Sequence, residues 1–265
     1  MKVYISADIE GITGATHWDE AEKKKSDYGE FQEQMTAEVV AACEGALNAG
    51  ATEIWVKDAH DTGRNIVASE LPEEVRLVRG WSGHPFSMVQ ELDETFHATV
   101  MIGYHSRAGS DTNPLAHTLS GGVAHIKIND RYASEFLLHA YASALMGVPV
   151  VFVSGDEGLC REVTSLNSNI ATNAVMQGVG NSTVSIHPHL AVARTREGVE
   201  EALRDDVSRC RIPLPERFSV EIRYKDHTKA YQYSFFPGAT LKEPYTIRFE
   251  SGDYFEVLRL LLFAV

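Results

Sequence analysis

Acidic and imidazole side chains recur in this chain where β-forming runs give way to loops. Ser6-Ala7-Asp8-Ile9-Glu10-Gly11 sets two carboxylates at i and i+2, and on an extended backbone both point to one face. Carboxylates held that close repel, so one takes up a proton unless a cation compensates, and a metal ion is the simplest such cation. His60, in Lys57-Asp58-Ala59-His60-Asp61, and His105, in Gly103-Tyr104-His105-Ser106-Arg107, follow two more β-forming runs. Mixed imidazole and carboxylate donors without thiolate suit zinc in a hydrolytic role, and three to five of them hold one or two ions; manganese, cobalt or nickel fits the same donors. His117 follows a polar segment, residues 108–114, expected to be flexible and able to close over a substrate. It is the candidate for a catalytic histidine that is not a ligand. His17, His84, His97, His125, His139, His187, His189 and His227 do not fall at such strand ends and receive no role.

Those side chains need a scaffold that brings distant strand ends together. Residues 2–8, 53–57, 98–103, 123–128 and 149–154 read as strands, the last an unbroken apolar run suited to burial on both faces. Apolar spacing through Met35, Val39, Val40, Cys43 and Leu47 predicts a helix over 32–48 that stops at Gly50. A second helix is expected over 133–145, opening with Ser134 and Glu135. Alternating strands and helices imply an α/β fold, a mostly parallel sheet with helices on both faces. In such a sheet the carboxyl ends of adjacent strands share one crevice, where Asp8, Glu10, His60 and His105 can meet. Past residue 170 the texture changes to a helix over 190–205, a break at Pro213 and Pro215, strands over 219–224, 230–234 and 245–249, and a terminal helix from Tyr254. The expected division is therefore an α/β metal-binding catalytic domain, 1–170, and a smaller C-terminal α+β portion, 171–265, serving substrate access or oligomerisation.

Composition narrows the function. At 44% hydrophobic and 23% charged the chain is an ordinary globular protein. A formal charge of −13 repels phosphate backbones and no basic cluster offsets it, so nucleic acid is not an expected partner. Cys43, Cys160 and Cys210 are odd in number and far apart, which indicates neither a disulfide framework nor a thiolate metal site. Asp8 interrupts what would have to be a signal peptide's apolar stretch, and the apolar terminal run falls short of the roughly 20 residues of a membrane span, so a cytoplasmic protein with no membrane partner is expected.

The motifs Ser6-x-Asp8-x-Glu10-Gly11, Asp58-x-His60, Phe86-Ser87-Met88-Val89, Gly103-Tyr104-His105-x-Arg107-Ala108, His117, Ile128-Asn129-Asp130-Arg131 with Glu135, and Gly155-Asp156 together resemble the DppA-type zinc-dependent D-aminopeptidase family. The resemblance runs continuously from residue 1 to about 180. It implies two zinc ions per subunit, with Asp8 bridging them and Glu10, His60, His105 and Glu135 completing the ligand set. Glu135 enters only through this resemblance, because a glutamate in the first turn of a helix commonly just offsets the helix dipole. The histidine matching His117 is the family's catalytic residue, described as a nucleophile; a role as general acid or base is the alternative. The resemblance further implies a homo-oligomer, a ring-stacked decamer whose chamber admits short peptides with a free amino terminus, and a preference for D-residues. The chain departs from the family around 13–25, 61–66 and 109–115, loops flanking the ligand positions, which bears on substrate preference. Two other functions fit the same donors: a metal-dependent phosphoesterase, with Arg107 as the candidate phosphate-binding cation, and a non-catalytic metal-dependent peptide-binding protein.

Overall fold

Lys2–Ala7 is rich in β-branched and aromatic residues and almost wholly buried, which makes it a central strand, β1. In the computed structural model, which describes residues 1–265, β1 is followed by a single helical turn α1 (Trp18–Ala21), the long helix α2 (Tyr28–Asn48), and three strands: β2 (Glu53–Asp58), β3 (Val75–Val78) and β4 (Ala98–Tyr104). The chain then leaves for β5 (Val123–Ile128), β6 (Arg131–Tyr132) and α3 (Glu135–Leu145). It returns for β7 (Val150–Asp156), α4 (Glu157–Leu166), β8 (Ala171–Val179), β9 (Ser182–Ser185) and α5 (Pro188–Arg204), and ends in β10 (Phe218–Tyr224), α6 (His227–Tyr233), β11 (Ala239–Glu243), β12 (Thr246–Ser251) and α7 (Tyr254–Ala264).

The first sheet runs β3-β2-β1-β4-β7-β8-β9, parallel except for the β8–β9 hairpin. The order reverses at β1: β2 and β3 build outward on one side, β4, β7 and β8 on the other. That switch point leaves a crevice at the carboxyl ends of β2, β1 and β4, the three strands that carry Asp8, His60 and His105. A second, antiparallel sheet has the order β11-β12-β10-β5-β6. The fold class is the expected one, a mostly parallel α/β sheet with a smaller α+β assembly.

The sheets do not divide at residue 170. Strands β8 and β9 extend the first sheet, and α5 packs on α2, while β5, β6 and α3 belong with the C-terminal strands. Strands join through backbone hydrogen bonds to whichever edge is open, so chain order does not fix sheet membership. One apolar core contains Val3 and Phe152 together with Ile222 and Leu258. Residues 230–234, expected as a strand, lie mostly in α6: Asp226 caps it by accepting from the Thr228 amide at 2.9 Å, and Ala230 and Tyr233, one turn apart, face the core. Helix α2 begins at Tyr28, ahead of the expected start at 32, and α3 at Glu135, with Ser134 as its cap.

Polar braces hold the crevice loops. The Asp156 carboxylate, at the end of β7, accepts from the Ser106 amide at 2.6 Å, the Leu159 amide at 2.9 Å and the Asn113 side chain at 3.2 Å. Asn113 also donates to the Glu10 carbonyl at 3.0 Å. The segment expected to be a flexible cover, 108–114, is therefore pinned, with Ala108 and Asn113 buried and Leu115 buried just beyond it. On the other flank the buried Glu38 accepts from the Thr13 amide at 2.9 Å.

Two glycines let the loop after β1 touch the end of β4. A Cβ on Gly11 would lie 1.8 Å from the Tyr104 carbonyl oxygen, and Gly103, at φ +67°, has the Asp8 carbonyl 2.3 Å from where its Cβ would be. Gly11→Ala must push Asp8 and Glu10 away from His105; overpacking of this kind costs about 1–3 kcal/mol. Urea denaturation with chelator present is expected to show a loss in that range, and a neutral substitution would contradict the close approach.

Candidate metal centre

Asp8 and Glu10 follow β1, His60 follows β2, His105 follows β4, and Glu135 opens α3, so the second sheet delivers the last member. His117, in the segment leading to β5, stacks on His105 with ring centroids 4.4 Å apart and meets Trp18 edge-on at 5.3 Å. All six sequence-predicted site residues come together. Their donor atoms form three groups, each within 4.8 Å: Asp8, Glu10 and His60; Asp8, His105 and Glu135; and Glu10, His105 and His117. Asp8 belongs to two of these, one oxygen 3.3 Å from His60 Nδ1 and the other 3.6 Å from His105 Nε2.

The outer nitrogen of each imidazole is committed to a backbone carbonyl. His60 Nε2 donates to Ala21 at 2.8 Å, His105 Nδ1 to Ser106 at 2.9 Å and His117 Nδ1 to Leu115 at 2.9 Å. A neutral imidazole held this way turns its remaining lone pair toward the carboxylates. His60 Nδ1 then faces Glu10 Oε2 at 3.0 Å, His105 Nε2 faces Glu135 Oε2 at 3.3 Å, and His117 Nε2 faces Glu135 Oε1 at 3.5 Å. Lone pairs facing carboxylates repel unless a proton or a cation stands between them.

Glu10 Oε2 and His105 Nε2 are buried and make no hydrogen bond, despite these short distances. Buried polar atoms are nearly always satisfied, so two orphans in one cluster call for a partner. Donors bound about 2.1 Å from one tetrahedral ion stand about 3.4 Å apart, which matches these separations. The oxygen and nitrogen donor set also suits zinc, so the residues present fit a metal.

The electrostatics express the same frustration in protons. Burial raises the Asp8 carboxyl well above the usual carboxylate range, and the charges of Glu10 and Glu135 push the same way. Burial also opposes ionisation of Glu10 and Glu135, but nearby imidazoles outweigh it. His60, His105 and His117 hold Glu10 well below its ordinary range, while His105 and His117 draw Glu135 down to about 2. Burial would depress His60 and His105; Glu10 and Asp8 instead hold His60 well above its ordinary value, and Glu135, Glu10 and Asp8 do so for His105.

The centre opens into a cavity of about 510 Å³, large enough for a short peptide. Its walls include features that the sequence did not flag: Trp18, Trp81, His84, His139 and the α7 leucines. Trp81 is set by its indole N–H, which donates to the Asp61 carbonyl at 2.7 Å, and by the Lys57 ammonium 3.9 Å over its ring. His139 sits one turn beyond Glu135 and donates to its carbonyl at 2.7 Å; burial pushes it down to about 4, so it stays neutral. The His-to-Glu spacing on α3 was the only available signal for it. Arg107 does not line the cavity; it donates to the Ala108 carbonyl and lies 4.1 Å over the Tyr132 ring. No lysine or arginine lines the cavity, which removes the cation a phosphoesterase would need.

Comparison with known proteins agrees with this geometry. A D-aminopeptidase from Bacillus subtilis (strain 168) is 33% identical over 264 residues, covering 99% of this chain and 96% of the relative. A solved structure described as the zinc-dependent D-aminopeptidase DppA from Bacillus subtilis, a self-compartmentalizing protease, superposes with a TM-score of 0.92 at 30% identity, covering all of this chain and 96% of the other. A family model, peptidase family M55, described as D-aminopeptidase, matches residues 1–263. With its donor-lined crevice at the switch point of the parallel sheet, the chain belongs to the M55 family of D-aminopeptidases and is a peptidase hydrolase.

Proposed function

We propose that this chain is a zinc-dependent aminopeptidase that releases amino-terminal D-residues from short peptides or amides at a dinuclear site. The observation that carries this reading is the convergence of Asp8, Glu10, His60, His105 and Glu135 on shared interior space with two of their atoms left unpartnered. Asp8, Glu10, His60, His105 and Glu135 would hold the ions; Asp8 groups both with Glu10 and His60 and with His105 and Glu135, which supports the sharing of Asp8 that the family resemblance implies. When bound, zinc supplies an activated water and polarises the scissile carbonyl.

The protein's own groups do the rest. Glu22 and Asp61 line the cavity outside the ligand set, and their negative charge draws in the substrate's ammonium. Trp18 and Trp81 wall the cavity and limit water. His117, with Nδ1 fixed on the Leu115 carbonyl, presents Nε2 beside Glu135, where its lone pair takes the proton released by the attacking water and passes it to the leaving amine. Free, buried thiols at Cys43, Cys160 and Cys210 fit a reducing, cytoplasmic location. No helix is long and apolar enough to cross a membrane. The neighbour's description as self-compartmentalizing supports assembly of this chain with copies of itself, and the ring-stacked decamer is what the family resemblance implies. Exposed Tyr231, Phe235 and Phe263 on one surface and Val179 and Val184 on another offer apolar area for contacts between copies.

Zinc-reconstituted protein is expected to cleave D-alanine p-nitroanilide and short D-peptides, to lose that activity on chelation, and to leave p-nitrophenyl phosphate intact. A zinc-loaded protein that cuts no free-amine peptide or amide would retire the proposal in favour of a binding protein. His117→Ala is expected to lower kcat by about 10²–10⁴-fold with zinc content unchanged, the range for loss of a general acid or base. A fall in zinc content would make His117 a ligand instead.

Without metal, protons must do the neutralising. The raised pKa values of His60 and His105 give the metal-free protein stability that is complete below their unfolded value of about 6.5 and is lost as pH rises through the folded values. Asp8, also raised, acts in the same direction. The increase in melting temperature on adding zinc is therefore expected to be about 3 °C or more larger near pH 8 than near pH 6. Differential scanning fluorimetry in matched buffers reads this, and a pH-independent increase would mean that zinc and protons do not compete for the cluster.

A further inference from the structure

The cavity that holds the metal donors also has an apolar wall, and nothing in the ligand set accounts for it. Glu135, Leu138 and His139 lie on one face of α3, so the surface next to a ligand becomes apolar within a single helical turn. Helix α7 packs on α3 there, with the Tyr254 hydroxyl donating to the Leu138 carbonyl at 2.8 Å. Through Leu258, Leu261 and Leu262, α7 completes the wall with Met88. Leu258 and Leu261 are buried, whereas Leu262 stays 37% exposed while lining the cavity. His139, the polar group on this face, is already bonded to the Glu135 carbonyl.

We propose that this wall is a side-chain subsite selecting peptides with an apolar residue next to the scissile bond, with Leu262 as a specificity-determining residue. The inference rests on the aminopeptidase reading, since it takes the donor cluster as the place of bond cleavage. An apolar side chain on the wall leaves water and covers Leu262, so affinity grows with each buried methylene. An acidic side chain meets the reverse. With zinc offsetting the donor carboxylates, Glu22 and Asp61 remain as uncompensated charge and neither lysine nor arginine lines the cavity, so an acidic side chain on the apolar wall loses water and meets no cationic side chain.

Isothermal titration calorimetry on the zinc-loaded protein tests this with two series of blocked dipeptides. In one the amino-terminal residue is D-leucine, D-alanine or D-aspartate before glycinamide; in the other the same residues follow an amino-terminal glycine. In at least one series leucine is expected to bind about tenfold more tightly than alanine, and aspartate more weakly than alanine. The responsive series identifies which side of the scissile bond the wall serves. Leu262→Lys is expected to remove the leucine advantage and favour aspartate by about tenfold over its wild-type affinity. Leu262→Gln, which adds no charge, removes the leucine advantage alone and serves should the lysine variant fail to fold. Equal dissociation constants for all three residues in both series, or an unchanged order in Leu262→Lys and Leu262→Gln, overturn the subsite. Titrations run in the zinc-loaded His117→Ala background, where turnover is slow, read binding apart from hydrolysis, and cleavage is assayed separately on the unsubstituted protein, so ordered binding without hydrolysis upholds the subsite and rejects only the aminopeptidase reading. Absence of binding by every peptide rejects both.

Discussion

Three buried carboxylates, two buried imidazoles and the half-buried imidazole of His117 share a space in which neither kind of group can be left as it stands. Asp8, Glu10 and Glu135 repel one another, and the imidazole lone pairs are aimed at them because Ala21, Ser106 and Leu115 hold the opposite ring nitrogens. Removing the charges from water costs several kcal/mol per ion, so a cluster of this kind persists only if something positive fills its centre. That requirement explains why so much surrounding structure is devoted to holding the groups in place. The fixed tautomers, the orphan atoms and the donor spacing are three views of one site suited to a cation.

The scaffold meets the requirement with rigid parts. Strand ends supply Asp8, His60 and His105, and adjacent parallel strands keep them at sheet spacing. Asp156 joins the end of β7 to the His105 loop and, through Asn113, to the Glu10 carbonyl. Glycine at 11 and 103 lets two backbones approach where any side chain would separate the donors. Glu135 comes from outside the parallel sheet, on a helix that β5 and β6 introduce, so the site closes only when both sheets are in register with each other. Packing of α7 on α3 then shapes the space beyond the ligands, and the same helix that delivers a charged donor also presents Leu138 to the cavity.

Much of this was legible in the chain. The strand-end niche marked Asp8, Glu10, His60 and His105 because a parallel sheet gathers the carboxyl ends of neighbouring strands, whatever their separation in sequence. Glu135 carried no such mark: the first residue of a helix is a common place for a glutamate, and only family likeness singled it out. Trp18, Trp81 and His84 were invisible as cavity residues, since neither a single helical turn nor an irregular segment is long enough to show by periodicity which way an aromatic residue faces. The segment 108–114 looked mobile from its polar composition, yet Asn113 spends its polarity on Glu10 and Asp156. Residues 230–234 looked like a strand because their aromatics alternate, a pattern that a short helix capped by Asp226 accommodates equally well.

What the sequence determined by itself is the chemistry available and the alternation that makes a parallel sheet: donor types, acidic charge, and strands ending in carboxylate and imidazole residues. These follow from side-chain identity and from local periodicity, which are properties of neighbours along the chain. Only tertiary structure decided that β1 lies between β2 and β4, that β8, β9 and α5 join the first sheet while β5, β6 and α3 join the second, and that α7 walls the cavity. Each of those outcomes depends on which strand edges and apolar faces meet after the chain collapses. Such long-range pairings are set by the summed burial and backbone hydrogen bonding of the whole molecule, which no local window of residues contains.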